Sequence, residues 1–217
     1  MNPYSHIVIA AKVEKALAPG NPNEYYWGAI APDIRYLAAM QRQQTHVSSQ
    51  RITQFFAKYP QQKSFLQGYL VHCLSDEIDL GEVFFHHFPF SVMKSKLSRH
   101  KLAVMLELYY FENEKVNKAI SGTYNEVLSV MGLSEPDCLR FSEFVGQYVR
   151  STSFDARIHG LVQLLGLEND IRIERYISAA ESFQRNELLK RAMFIGIRSG
   201  KVSEEIIFRV SSLLDIG

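Results

Sequence analysis

Cysteine is scarce in this 217-residue chain: Cys73 and Cys138 are its only thiols, far apart in sequence. Two isolated thiols exclude a disulfide-built scaffold and suit a reducing compartment or small buried apolar positions, with a single bridge between them left open. An excess of charge of either sign is also missing. Lys and Arg number 24 against 23 Asp and Glu, for a formal net charge of +1. With no run of Lys and Arg, that balance gives no electrostatic case for a nucleic-acid partner. Long apolar runs are absent too. The stretch in MNPYSHIVIAAKVEKAL has no basic region ahead of it and is cut short by Lys12 and Glu14, so neither a signal peptide nor an integral membrane segment is expected. A cytoplasmic location is the expectation that follows. The sequence shows no alternating strand series, internal repeat or low-complexity tract.

What is present is helical patterning and enough apolar residue, 47%, for one sizeable core. Residues 5–17 are predicted as a helix with Ser5 as N-cap, stopped by Pro19-Gly20-Asn21-Pro22. An apolar segment from Tyr25 to Ile34 is interrupted by Pro32, which disfavours the α conformation at Ala31 and places Asp33 on a turn or a new helix start. A helix is predicted to run from the serines at 48–49 to Tyr59. The strongest signal follows, over 61–80, where Phe65, Leu66, Tyr69, Leu70, Cys73, Leu74 and Ile78 repeat at three and four residues. Further helices are predicted over 93–119 (one or two), 127–131, 137–150 with Ser134 as cap and Pro136 in the first turn, 155–166, 170–198 and 202–214, with Gly166 and Gly200 as terminators. The expected fold is all-α, a compact multi-helix domain spanning 1–217, with the candidate site in 1–90 and a helical remainder in 91–217.

Within that frame a few polar residues sit where burial is expected. His72 and Asp76 stand four apart on the strongest helix, so both project from one face. Imidazole nitrogen and carboxylate oxygen are both good ligands for zinc and related ions. Gly68, one turn earlier on the same stripe, costs the helix roughly 1 kcal/mol relative to alanine and leaves room for another segment or a ligand to approach closely. A buried salt-linked pair would show the same spacing. His6 lies in an apolar stretch, where a hydrogen-bonded core histidine is the alternative. Asp33 could be a simple turn former, and His46 a surface residue.

The segments Ser5-His6-Ile7, Gly28-Ala29-Ile30-Ala31-Pro32-Asp33, Thr45-His46 and Gly68-Tyr69-Leu70-Val71-His72-Cys73-Leu74-Ser75-Asp76 resemble, in order and spacing, the zinc-dependent phospholipase C family. That family groups bacterial phospholipase C with the catalytic domain of glycosylphosphatidylinositol-specific phospholipase D. The resemblance implies an all-helical fold with up to three zinc ions. It implies that Asp33, His46 and His72 hold one ion and that Asp76 bridges it to another, also bound by His6. It further implies a metal-dependent hydrolase of phosphate esters or phospholipids. There, metal-bound hydroxide attacks phosphorus and Asp33 and Asp76 are the catalytic carboxylates, with no protein nucleophile.

The chain departs from the pattern in three places. Founding members use a processed N-terminal tryptophan as a ligand, whereas Met1 stands five residues before His6 and Trp27 lies inside the chain. Their HxxxE pair has no clear equivalent, which leaves Glu82, His86, His87 and His100 as substitutes. The paired histidines are read as polar corners of the aromatic cluster from Phe84 to Phe90, which could itself form an apolar entrance for acyl chains. Founding members are secreted, and no secretion signal is evident here. One or two zinc ions, or another divalent transition metal, are therefore expected in place of three. The rival reading is a non-catalytic helical binding module that retains a vestigial metal site. A phosphohydrolase of the HD type is disfavoured because the sequence contains no His-Asp dipeptide.

Overall fold

The computed structural model describes residues 1–87, 99–116, 120, 122–164 and 200–214, with scattered positions between 174 and 197. Its helices are α1 (Pro3–Leu17), α2 (Pro22–Gly28), α3 (Arg42–Thr45), α4 (Ser49–Lys58), α5 (Lys63–Glu77), α6 (Leu80–His87), α7 (Arg99–Asn113), α8 (Glu126–Val130), α9 (Glu135–Arg150), α10 (Phe154–Leu164) and α11 (Lys201–Leu213), with 3-10 turns at Ala31–Tyr36 and Pro60–Gln62. No strand occurs among the described residues, and the all-α expectation holds. The helix expected over 170–198 and the terminator at Gly166 fall largely outside the described residues.

The strongest sequence signal became the centre of the molecule. Helix α5 is buried on most of its circumference, from Ser64 to Asp76, and contacts α1, α2, α4 and α11. Its crossing with α2 is made through two glycines. A Cβ on Gly68 would lie 1.9 Å from the Tyr25 carbonyl oxygen, and one on Gly28 would lie 2.0 Å from the Phe65 carbonyl oxygen. The two backbones therefore touch, and no side chain fits between them. This contact explains the glycine at the metal-like stripe of α5. It brings the segment after α2, with Ala29 and Asp33, against the face of α5 that carries His72.

Helix α1 begins at Pro3 rather than after a Ser5 cap. Proline at the first helical position is preorganised for the turn, and the cap is supplied from elsewhere in the fold. Glu107 of α7, 1% exposed, accepts the Tyr4 and Ser5 backbone N–H groups at 2.7 Å and the Ser5 hydroxyl at 2.6 Å. It also accepts the Tyr148 hydroxyl of α9 at 2.6 Å. A carboxylate at a helix N-terminus satisfies orphan donors and faces the positive end of the dipole. Burial still holds its carboxyl above the usual range, against the opposing pull of those four hydrogen bonds. Through Glu107, α7 and α9 fix the end of α1 that carries His6. At its other end α1 stops at Leu17, with Ala18 in the left-handed region at φ 44°.

Elsewhere the sequence signals hold with small shifts. Ser134 caps α9 in a capping box with Asp137, and Pro136 sits in the first turn. Tyr109, Tyr110, Phe111, Phe141 and Tyr148 are buried core residues. Trp27 is fully buried and donates its indole N–H to the Thr123 carbonyl at 3.0 Å. Cys73 and Cys138 are buried free thiols, so the open question of a bridge closes without one. Phe84 is 1% exposed and belongs to the core, not to an apolar entrance. Phe85 lines an open cavity of about 460 Å³ with Asp79, Gly81, Glu82 and His86, and 88–90 lie outside the described residues.

Candidate metal centre

Four separate segments deliver the five candidate side chains to one place. His6 comes from α1, Asp33 from the 3-10 turn behind Pro32, His46 from the C-cap of α3, and His72 and Asp76 from α5. All are withdrawn from solvent, with side chains between 0% and 6% exposed. Donor atoms of His6, Asp33 and His72 lie within 4.8 Å of one another, and so do those of His46, His72 and Asp76. These groupings divide the five differently from the set implied by resemblance, with Asp33 beside His6 and His72.

The hydrogen bonds settle which nitrogen is free on His72 and on His6. His72 Nδ1 lies 2.8 Å from the Ala29 carbonyl oxygen, which can only accept, so Nδ1 carries the proton and Nε2 is bare. The Ser75 hydroxyl donates to the His72 carbonyl at 2.8 Å, leaving its oxygen to accept His6 Nδ1 at 2.8 Å. His6 Nε2 is therefore bare as well, and it is buried with no hydrogen-bond partner among the described residues, as is Asp33 Oδ2. The bare His72 Nε2 lies 3.1 Å from His46 Nε2 and 4.0 Å from oxygens of Asp33 and Asp76. Second-partner hydrogen bonds of this kind fix tautomer and ring orientation at metal sites. Tyr69, one turn before His72, donates its hydroxyl to the Thr45 carbonyl and so pins the residue ahead of His46.

The electrostatics agree with the donor set. Burial pushes His6 down to about 4, with the Met1 ammonium adding to it against the pull of Asp76. His72 and His46 are likewise lowered, by burial first. All three imidazoles are thus neutral at pH 7, the form that binds a metal. Asp76 is pushed up by burial, but the Met1 ammonium and the imidazoles of His46 and His6 beside it outweigh this and hold it far below the usual range. Asp33 rises to about 7 through burial and the Asp76 charge. Two orphaned buried donor atoms, neutral imidazoles and two carboxylates fit a divalent cation. Since His72 Nε2 is one lone pair, it can serve only one ion at a time.

These shifts set the pH response of the chelator-treated protein. Each lowered histidine stays neutral when folded but takes a proton when unfolded below about 6.5, so its contribution is present above that pH and lost as pH falls. Asp33, raised, contributes in the opposite sense: its share is present in acid and is lost as pH rises through about 7. Three histidines outweigh one Asp33 in this window, and Asp76, ionised in both states above about pH 4, adds its loss only below it. Denaturant melts of the metal-free protein are expected to show stability climbing between about pH 4 and 6.5, more steeply in Asp33→Asn. A flat profile in this window would contradict the arrangement.

Of the substitutes for the missing HxxxE pair, Glu82, His86 and His87 do not join this cluster. His87 Nε2 lies 2.5 Å from Glu205 Oε2 in a separate group with His86. The other Glu205 oxygen takes Arg209 at 2.6 Å, and Arg209 also forks onto Glu82 at 3.0 and 3.3 Å. That network is a salt-linked corner between α6 and α11, and the donor atoms of His86, His87 and Glu205 also lie close enough together to hold a metal ion. The His100 side chain lies outside the described residues. Sequence reasoning missed the Met1 amine and Arg42, both of which reach Asp76, and Glu107. Only Arg42 left a signal, four residues ahead of His46.

The described residues thus form a helical protein whose buried His and Asp groups could hold a divalent ion. Residues 5–129 match the family model described as zinc dependent phospholipase C. The chain belongs to that family, whose metal is zinc and whose members act in general as metal-dependent phospholipid hydrolases. Comparison with curated proteins and with solved structures returns no match. No described helix is long and apolar enough to cross a membrane.

Proposed function

We propose that this protein hydrolyses phosphate esters in the manner of a phospholipase C, with zinc held by His6, Asp33, His46, His72 and Asp76. The observation that carries the reading is the convergence of bare imidazole nitrogens on two buried carboxylates, with orphaned atoms on His6 and Asp33. Zinc bound there supplies a water acidified toward neutral pH and positive charge for the phosphoryl oxygens. The chain's own part is to orient and to exclude. Ala29 and Ser75 hold the rings of His72 and His6, so their Nε2 lone pairs face inward. Asp33 and Asp76 offset cation charge and, once ionised, accept the proton shared with a bound water. No serine or cysteine nucleophile is needed, and Cys73, pushed up to about 12 by burial and the Asp76 charge, is unsuited to be one.

The test is elemental analysis of protein purified without chelator, paired with hydrolysis of bis-nitrophenyl phosphate, nitrophenyl phosphate and phosphatidylcholine. One or two zinc ions per chain are expected. In His72→Ala both zinc and turnover should drop, the turnover by two orders of magnitude or more, about 3 kcal/mol or more of transition-state stabilisation. Protein that purifies with no transition metal and takes none up on dialysis would end the proposal. Zinc without turnover on any ester would return the chain to a binding role.

A further inference from the structure

Arg42 stands apart from the other groups at the cluster. Its side chain is 49% exposed, yet its Nη1 reaches Oδ2 of Asp76, 5% exposed, at 2.8 Å. One end of the guanidinium therefore touches the floor of the site while the rest faces solvent. Asp76 is heavily engaged: the Met1 ammonium and His6 Nε2 (at 3.4 Å) meet Oδ1, and His46 Nε2 (at 3.1 Å) shares Oδ2 with Arg42. Arg35 stands in the same 3-10 turn as Asp33; its Nε is buried with no hydrogen-bond partner among the described residues and its guanidinium stacks 3.8 Å from the Tyr36 ring. The charges of both arginines are felt at Asp33 and at His46.

Zinc and Arg42 compete for the same carboxylate. When a divalent ion takes the oxygens of Asp76, the guanidinium loses its acceptor, and it cannot discharge by giving up a proton. Charge balance then calls for an anion. Two carboxylates neutralise a single divalent ion, and Arg42, with the Met1 ammonium on the other Asp76 oxygen and the nearby Arg35, is left as uncompensated positive charge. We propose that Arg42, backed by Arg35, forms an anion subsite beside the metal cluster that binds the free oxygens of a phosphoryl group. A planar fork of N–H donors matches phosphate oxygens in pairs. The same two charges repel a cationic head group, so the subsite favours anionic phosphate esters over phosphocholine. This inference rests on the zinc-site reading above and specifies the substrate class of that site.

The test uses the full chain loaded with zinc, with inorganic phosphate as the calorimetric probe. Arg42→Ala is expected to bind phosphate at least tenfold more weakly, with Arg42→Lys in between because it keeps the charge but not the fork. Zinc affinity, read by competition with a chromophoric chelator, is expected to stay the same or rise in Arg42→Ala, since a competitor for Asp76 is gone. An arginine that merely braces Asp76 would move zinc affinity or stability and leave phosphate affinity alone, and that result would overturn the proposal. Sedimentation with phosphatidylcholine vesicles, plain or doped with phosphatidic acid, identifies the source of the phosphate. Arg42-dependent binding to the doped vesicles supports a lipid head group, and phosphate binding without vesicle binding supports a soluble ester. If the wild type takes up no zinc, the function proposal fails first, and this one falls with it because Arg42 then keeps Asp76 as its partner.

Discussion

Gly68→Ala is expected to destabilise the protein by at least ~3 kcal/mol, at the upper end of what overpacking costs. The added methyl would sit 1.9 Å from the Tyr25 carbonyl oxygen and 2.8 Å from the Ala29 nitrogen, and neither is the end of a side chain that can swing aside. Relief requires α2 and α5 to separate. Separation would break the 2.8 Å hydrogen bond from His72 Nδ1 to the Ala29 carbonyl and carry Asp33 away from His72, so zinc capacity should fall together with stability. Intrinsic helix propensity acts in the other direction, since alanine is better than glycine by roughly 1 kcal/mol in a helix interior. Gly146→Ala in α9 isolates that effect. Its new methyl would find only the far end of the Arg150 side chain, at 3.6 Å, and should leave stability unchanged or raise it. Equilibrium denaturation of the two variants, with zinc content measured on each, checks the claim. Equal stability of both would remove the backbone contact as the reason for the glycine.

The same glycine shows how much of the fold could be read from the sequence. Periodicity over 61–80 marked α5 and its burial, and the odd placement of Gly68 marked a close approach, because both are local properties of one helix. The identity of the approaching segment was not local. It is α2, whose own Gly28 makes the reciprocal contact, and nothing in either segment names the other. The five candidate ligands were legible by motif order, since His72 and Asp76 share a helix face. Their grouping was not, because the positions of His6 and Asp33 depend on how α1 and the 3-10 turn dock onto α5. Ser5 looked like a helix cap, and the real cap, Glu107, stands 102 residues away. Distant carboxylates of this kind leave no trace in a helical pattern where Glu107 reads as one more polar position of α7. Arg42 was passed over for a similar reason: a charged residue on a short polar segment is usually solvated, and this one is half so.

Asp76→Asn carries the second large effect, and it separates charge from shape. The amide has nearly the volume of the carboxylate, but it offers one accepting oxygen where two are in use. Oδ1 meets the Met1 ammonium and His6, while Oδ2 meets Arg42 and His46. Arg42 can turn to solvent, and the bare His6 nitrogen can accept from an NH2 group. The Met1 ammonium, in a part-buried pair with Asp76, has no such escape and would be left without its counter-charge. Removing one partner of a buried pair typically costs about 3–5 kcal/mol. The lower end is expected here, because Asp33 responds. Its carboxyl is held up near 7 by burial and in part by the Asp76 charge. With that charge gone Asp33 ionises at lower pH and partly replaces it, a shift that NMR titration of its carboxyl carbon would follow. Zinc capacity has no such substitute, since Asp76 is the carboxylate in the group with His46 and His72, and bound zinc per chain should fall well below the wild-type level. Asp79→Asn is the matched control, three residues away. That carboxylate accepts the Gly81 and Glu82 N–H groups at the start of α6, a capping task that asparagine performs about equally well, so stability and zinc should both be retained. If Asp76→Asn keeps full zinc and wild-type stability, the buried carboxylate is not the hub of the cluster, and the charge argument for Arg42 loses its premise as well.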